Sequence, residues 1–116
     1  VIDRTFDYRK VCKLAPWKPI ISREIIYLIE DDIGLWSFNK YLDGVLIHAD
    51  MTRNCRGRRA VESAKSAFKW IFNNTDHEKI YAKIHVDKKA ASCIAISSGM
   101  EFMHENDEHR FYEVKK

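Results

Sequence analysis

Four arginines, Arg53, Arg56, Arg58 and Arg59, crowd around Gly57 within seven residues. Guanidinium groups make paired, charge-assisted bonds to phosphate oxygens, and a glycine lets the backbone approach a ligand closely. If a helix begins there, its unpaired amides and its dipole add a preference for anions. Such a loop can hold a pyrophosphate, and a ribose phosphate as well if the ligand carries one. The competing reading is a solvated basic loop ahead of a surface helix. The three cysteines, Cys12, Cys55 and Cys93, are odd in number and lack CxxC spacing. They suggest free thiols rather than a disulfide framework or a zinc site.

The elements that must position this loop follow from periodicity. Arg59 to Phe72 is the clearest helix, with Ala60 or Val61, Ala64, Ala67 or Phe68, and Ile71 on one face against Glu62, Lys65 and Lys69. Phe68, Trp70 and Phe72 belong to its packing rather than to a ligand platform. Gly44 to Met51 leads into the loop as a strand, paired with Gly34 to Phe38 through the turn formers of Asn39 to Asp43. Lys79 to Val86 alternates as a half-buried strand. Asp87 caps a helix with Ala90, Ala91, Ile94 and Ala95 on a small-residue face, and Gly99 stops it. Met100 to His104 and Arg110 to Val114 are two closing strands.

Upstream, Val1 to Phe6 reads as a short strand and Asp7 caps a helix that stops at Ala15, the residue before Pro16. Pro16-Trp17-Lys18-Pro19 is a stiff connector. Ser22 then caps a second helix through Ile25, Ile26, Leu28 and Ile29. The expected fold is α/β: a mixed sheet packed by helices, in one domain over residues 1–116.

Composition agrees. The chain has 116 residues, 46% hydrophobic and 32% charged, with a net charge of +3, so it can bury one modest core. Its apolar runs are far shorter than a membrane span and its N-terminus has no signal pattern, which together predict a cytoplasmic protein. Nucleic-acid binding through the arginine loop is disfavoured, because the following helix carries no continued basic face and aromatic interleaving is missing.

The second half, about Gly44 to Val114, resembles the GNAT superfamily of N-acetyltransferases. That family has a strand, a loop reading Arg or Gln, two residues, Gly, one residue, Gly or Ala, and then a helix. Its counterpart is Cys55-Arg56-Gly57-Arg58-Arg59-Ala60-Val61. A second signature follows the next strand, where Asp87-Lys88-Lys89-Ala90-Ala91 through Gly99-Met100 is similar to the family's Asp-Asn-Lys-Ala-Ser stretch ending in Gly-Phe. The match is degenerate: Arg59 and Val61 replace the motif's glycines, Lys88 stands at a common Asn, and Ala95 stands where a Tyr general acid is often found.

The resemblance implies a mostly antiparallel sheet with one splayed parallel pair, Gly44 to Met51 beside Lys79 to Val86. Acetyl-coenzyme A enters that gap as cosubstrate, with no metal. Pantetheine then pairs with the strand edge at Ala49 and Met51. Arg56, Gly57, Arg58, Arg59 and Ala60 hold the phosphates, and Lys88 and Ala91 contribute from the last helix. A bulge in the strand supplies backbone donors to the thioester oxygen. His48, Asp50 and His85 are the candidate bases for direct transfer to a small amine or a protein amine; an exposed or hydrogen-bonded structural place is the competing reading for each. Glu101, His104 and His109 are weaker choices, and the spacing of the last two does not argue for metal. One strand fewer than the family before the loop implies either a clipped sheet or a homodimer that completes the site. The alternative is a non-catalytic chain of the same fold with a phage, virion-assembly or protein-interaction role, in the host cytoplasm or the virion.

Overall fold

The computed structural model describes residues 2–52, 55 and 57–116. In chain order the elements are β1 (Ile2–Arg4), α1 (Tyr8–Leu14), β2 (Ile26–Glu30), β3 (Gly34–Tyr41), β4 (Gly44–Met51), α2 (Arg58–Asn74), β5 (Lys79–His85), α3 (Lys89–Ser97), β6 (Glu101–Glu105) and β7 (His109–Lys115). The strands form one seven-stranded sheet in the order β1-β2-β3-β4-β5-β7-β6. Every neighbouring pair is antiparallel except β4 and β5, which run parallel. No described helix is long and apolar enough to cross a membrane.

Period-two alternation sorts the side chains between the two faces. Ile26, Leu28, Trp36, Phe38, Val45, Ile80, Ala82 and Tyr112 point to one face, where Ala64, Ala67, Phe68 and Ile71 of α2 and Ala95 of α3 close the main core. Tyr27 and Leu35 point to the other, under Val11 and Ala15. α1 begins as the residues dictate: the Asp7 carboxylate accepts from the Arg9 amide at 2.9 Å, and the helix ends ahead of Pro16.

The second helix expected from Ser22 onward is instead β2. Its apolar run is buried from both sides, Ile26 and Leu28 against the α2 face and Tyr27 and Ile29 against the α1 face. A strand covered on both faces shows a continuous apolar run in which the period of two is hidden. This strand is the one missing from the sequence-based count, so the sheet is not clipped. Other boundaries move by a few residues. The β3–β4 turn is Leu42-Asp43, α3 is entered through Lys88 rather than Asp87, and β1 is shorter than expected, with Val1 outside the described residues.

Gly34 adopts φ 153°, and a β-carbon there would lie 2.8 Å from Met51 Cα and 2.5 Å from the Asp50 carbonyl oxygen. Only glycine lets the start of β3 lie this close to the end of β4. One relay seats α2 against the sheet: buried Trp36 Nε1–H donates to Ser63 Oγ at 2.9 Å, and the Ser63 hydroxyl donates to Glu30 Oε1 at 2.8 Å.

Candidate active site

The parallel pairing of β4 and β5 covers only Val45–Ile80, Leu46–Tyr81 and Ile47–Ala82. Beyond it both strands continue, β4 held by β3 as far as Met51 and β5 held by β7 as far as His85. The two strands therefore part towards their C-terminal ends. The closed end is clamped, because Gly44 leaves no room for a side chain against Lys79. There Lys79 Nζ lies 2.9 Å from Asp43 Oδ2, and the Tyr81 hydroxyl donates to Asp43 Oδ1. These two hydrogen bonds, Tyr81 first, hold the Asp43 carboxyl down at about 2.

Which backbone groups face the gap follows from ladder alternation. The Thr52 amide donates to Ile33 O at 2.8 Å, so Asp50 and His48, two and four residues back, also turn their backbones to β3. Ala49 and Met51 turn theirs to the gap. Across it, the Val86 amide bonds Glu108 O at 2.9 Å, which assigns Ile84 to β7 and leaves Lys83 and His85 on the gap side. The β3–β4 register runs without interruption from Gly34–Met51 to Tyr41–Gly44. The expected bulge in β4 is therefore not there, and the exposed donors come from strand divergence instead. The sheet's register shift lies between β6 and β7, at Phe102/His104.

On the face that carries α1, His48 and Asp50 come together. His48 Nε2 stands 3.3 Å from Asp50 Oδ2, with side chains 57% and 12% exposed. Trp17 Nε1–H donates to the same Asp50 oxygen at 3.1 Å. The indole lies edge-on to the imidazole at 6.1 Å between centroids and stacks on Tyr27 at 6.4 Å. Tyr27 is fixed in turn by donating its hydroxyl to Ile20 O at 2.8 Å. In the register, Tyr27 faces Ser37 and Ser37 faces His48. Ser37 is buried, and its Oγ has no partner among the described residues. His85 sits on the opposite arm of the gap: its Nδ1 accepts from the Asp87 amide at 3.2 Å, and its ring meets His109 edge-on at 5.5 Å. The predicted bases thus divide into a pair on β4 and a separate histidine on β5.

At the mouth, Gly57 caps α2 with φ 56° and ψ −125° and has no side chain to bond the first turn, whose amides have no partner within the helix. Arg58 and Arg59 are exposed in that turn and border a groove of about 390 Å³ shared with Glu30, Asp31 and Asp32. Ala60 is buried with Ile33 and Cys55, which anchors the loop beneath the helix start. Burial pushes the Cys55 thiol up, only partly opposed by Arg59. Arg53 and Arg56, both singled out from the sequence, lie outside the described residues. Exposed Lys88 caps α3, Ala91 is half-buried in its first turn, and Ala95 is buried in the core.

Sequence reasoning missed Trp17 and Ser37. Trp17 read as part of a rigid connector, although a large aromatic between two prolines in a loop was a usable signal. Ser37 stood inside an apolar run and carried none.

A splayed parallel pair in an otherwise antiparallel sheet, with a glycine-capped helix at its mouth, defines the GNAT N-acetyltransferase fold, and this chain has that fold. No protein-family model and no curated protein sequence matches it. Solved structures do. The N-acetyltransferase PseH of Campylobacter jejuni aligns with a TM-score of 0.77 at 11% identity, over 100% of this chain and 97% of that one. Spermidine N-acetyltransferase from Vibrio cholerae, in complex with CoA and spermine, aligns at 0.79 with 12% identity, over 99% and 94%. A GNAT-family acetyltransferase from Bacillus anthracis aligns at 0.73 with 14% identity, over 98% and 93%. At these identities the likeness is one of fold.

Proposed function

We propose that this protein transfers an acetyl group from acetyl-coenzyme A directly to a primary amine. The observation that carries the reading is the β4–β5 divergence, with the backbones of Ala49 and Met51 turned into it. A pantetheine amide can pair with these groups as an added strand would, leaving the thioester in the gap. The Gly57 cap, the first-turn amides of α2, and Arg58 and Arg59 stand where the pyrophosphate would lie, and Arg56 adjoins them in sequence. Lys88 and Ala91, at the start of the helix that follows β5, would contribute from the far side. PseH has also been solved in complex with acetyl coenzyme A, which supports the same ligand class here, and the spermine complex supports a small amine as acceptor.

His48 acts as the base. With Nε2 directed to Asp50, its Nδ1 is left to take a proton from the attacking amine. A carbon–nitrogen bond forms as the carbon–sulfur bond breaks, and the sulfur leaves with its electron pair. A thiol titrates near pH 8.5, so the thiolate leaves without a strong acid and is protonated by water. Ala95 at the usual tyrosine position is compatible with this route. Cys55, held protonated by burial, is not needed as a nucleophile.

The test is thiol release from acetyl-coenzyme A by purified protein offered a panel of polyamines, alkylamines and peptide amines. Turnover that His48→Ala lowers by about 10²-fold or more supports the reading. Failure of every amine to stimulate release, with coenzyme A unable to raise the melting temperature, overturns it.

A further inference from the structure

We propose that Trp17 is a positioning residue which sets the orientation and tautomer of His48. The inference rests on the base assigned to His48 above but reaches a residue in a different element. Three contacts converge on the indole: its N–H on Asp50 Oδ2 at 3.1 Å, its edge on the His48 ring at 6.1 Å, and its face on Tyr27 at 6.4 Å.

The chemistry of Asp50 explains why the indole matters. Asp50 Oδ2 faces two groups, His48 Nε2 at 3.3 Å and the Trp17 N–H. The indole is a donor only, so it fixes this oxygen as an acceptor and pins the carboxylate rotamer. Held that way, the carboxylate favours a proton on His48 Nε2 and leaves the Nδ1 lone pair free, which is the form a base needs. His48 itself is 57% exposed and would otherwise swing between rotamers. Trp17 restrains it from above while Tyr27, tied to Ile20 O, supports the other side of the indole. The connector Pro16-Trp17-Lys18-Pro19 is suited to this task, because two prolines restrict the backbone that carries the indole. Trp17 thus joins the row Tyr27–Ser37–His48 at both ends, across β2, β3 and β4.

The test reads His48 directly. Nitrogen-15 NMR of the imidazole in mildly alkaline buffer distinguishes the two neutral tautomers. Wild-type protein is expected to show His48 mainly as the Nε2–H form. Trp17→Phe keeps the ring on Tyr27 but removes the donor, and is expected to move the population clearly towards the Nδ1–H form. Asp50→Ala is a second route to the same shift. In turnover, Trp17→Phe is expected to lower kcat about fivefold, the equivalent of one net hydrogen bond, with KM for acetyl-coenzyme A unchanged. An unaltered His48 tautomer in Trp17→Phe overturns the proposal. Because the tautomer is read on the protein alone, a shift without any transferase activity supports the positioning role and counts only against the transfer reading.

Discussion

At the scale of single residues, the proposed chemistry rests on two side chains spaced so that a strand turns both to one face. His48→Ala should lower kcat by about 10²-fold or more, the usual contribution of a general base, with little change in KM for acetyl-coenzyme A. A fall in affinity with kcat preserved would assign His48 to binding instead. The cysteines give an independent check of the architecture. Cys12 and Cys93 are exposed and Cys55 is buried, so an alkylating reagent followed by mass spectrometry should label the first two in native protein and Cys55 only after denaturation. Equal labelling of all three would contradict the anchored loop. His48 and Asp50 were legible in the sequence because acid–base side chains announce themselves. Trp17 was not, since the role proposed for it depends on a contact with Asp50, thirty-three residues away in the chain.

Among the elements, the β4–β5 pair has one end locked and the other open, and the lock has a pH signature. Asp43 titrates at about 2 in the folded protein against an ordinary 3.8. Its contribution is therefore present above the ordinary value and is lost as pH falls through that window towards 2. Lys79, raised by the same partner, contributes below its ordinary value and loses that contribution as pH rises through its folded one. Asp43→Asn should flatten the acid limb of a melting-temperature profile between about pH 4 and pH 2; an unchanged limb would refute the clamp. Gly34→Ala should cost about 1–3 kcal/mol, because its methyl would press on the backbone of Asp50 and Met51. That loss is measurable by urea denaturation, and it should also lower kcat by shifting the strand that carries His48. Helix α2 and β5 were legible because one face of each is buried and one is wet. β2 was not: Ile25 to Ile29 is compatible with either period until its two covering layers are known.

For the whole molecule, fold and ligand motif part company. The loop proposed to hold phosphate lacks two of the glycines of the GNAT motif, and no family model matches, yet the sheet order, the parallel β4–β5 pair and the glycine-capped helix reproduce the GNAT architecture. Topology here is set by which faces are buried, and many side-chain sets satisfy that condition. If coenzyme A lies between the diverging strands as proposed, amide NMR during a coenzyme A titration will locate it there. The expected result is saturable shifts at Ala49 and Met51 and at Gly57, Arg58, Arg59 and Ala60, with the clamped residues Asp43 and Gly44 unmoved. Saturable binding that leaves Ala49 and Met51 unshifted, or no shift anywhere at a large excess of ligand, would contradict it.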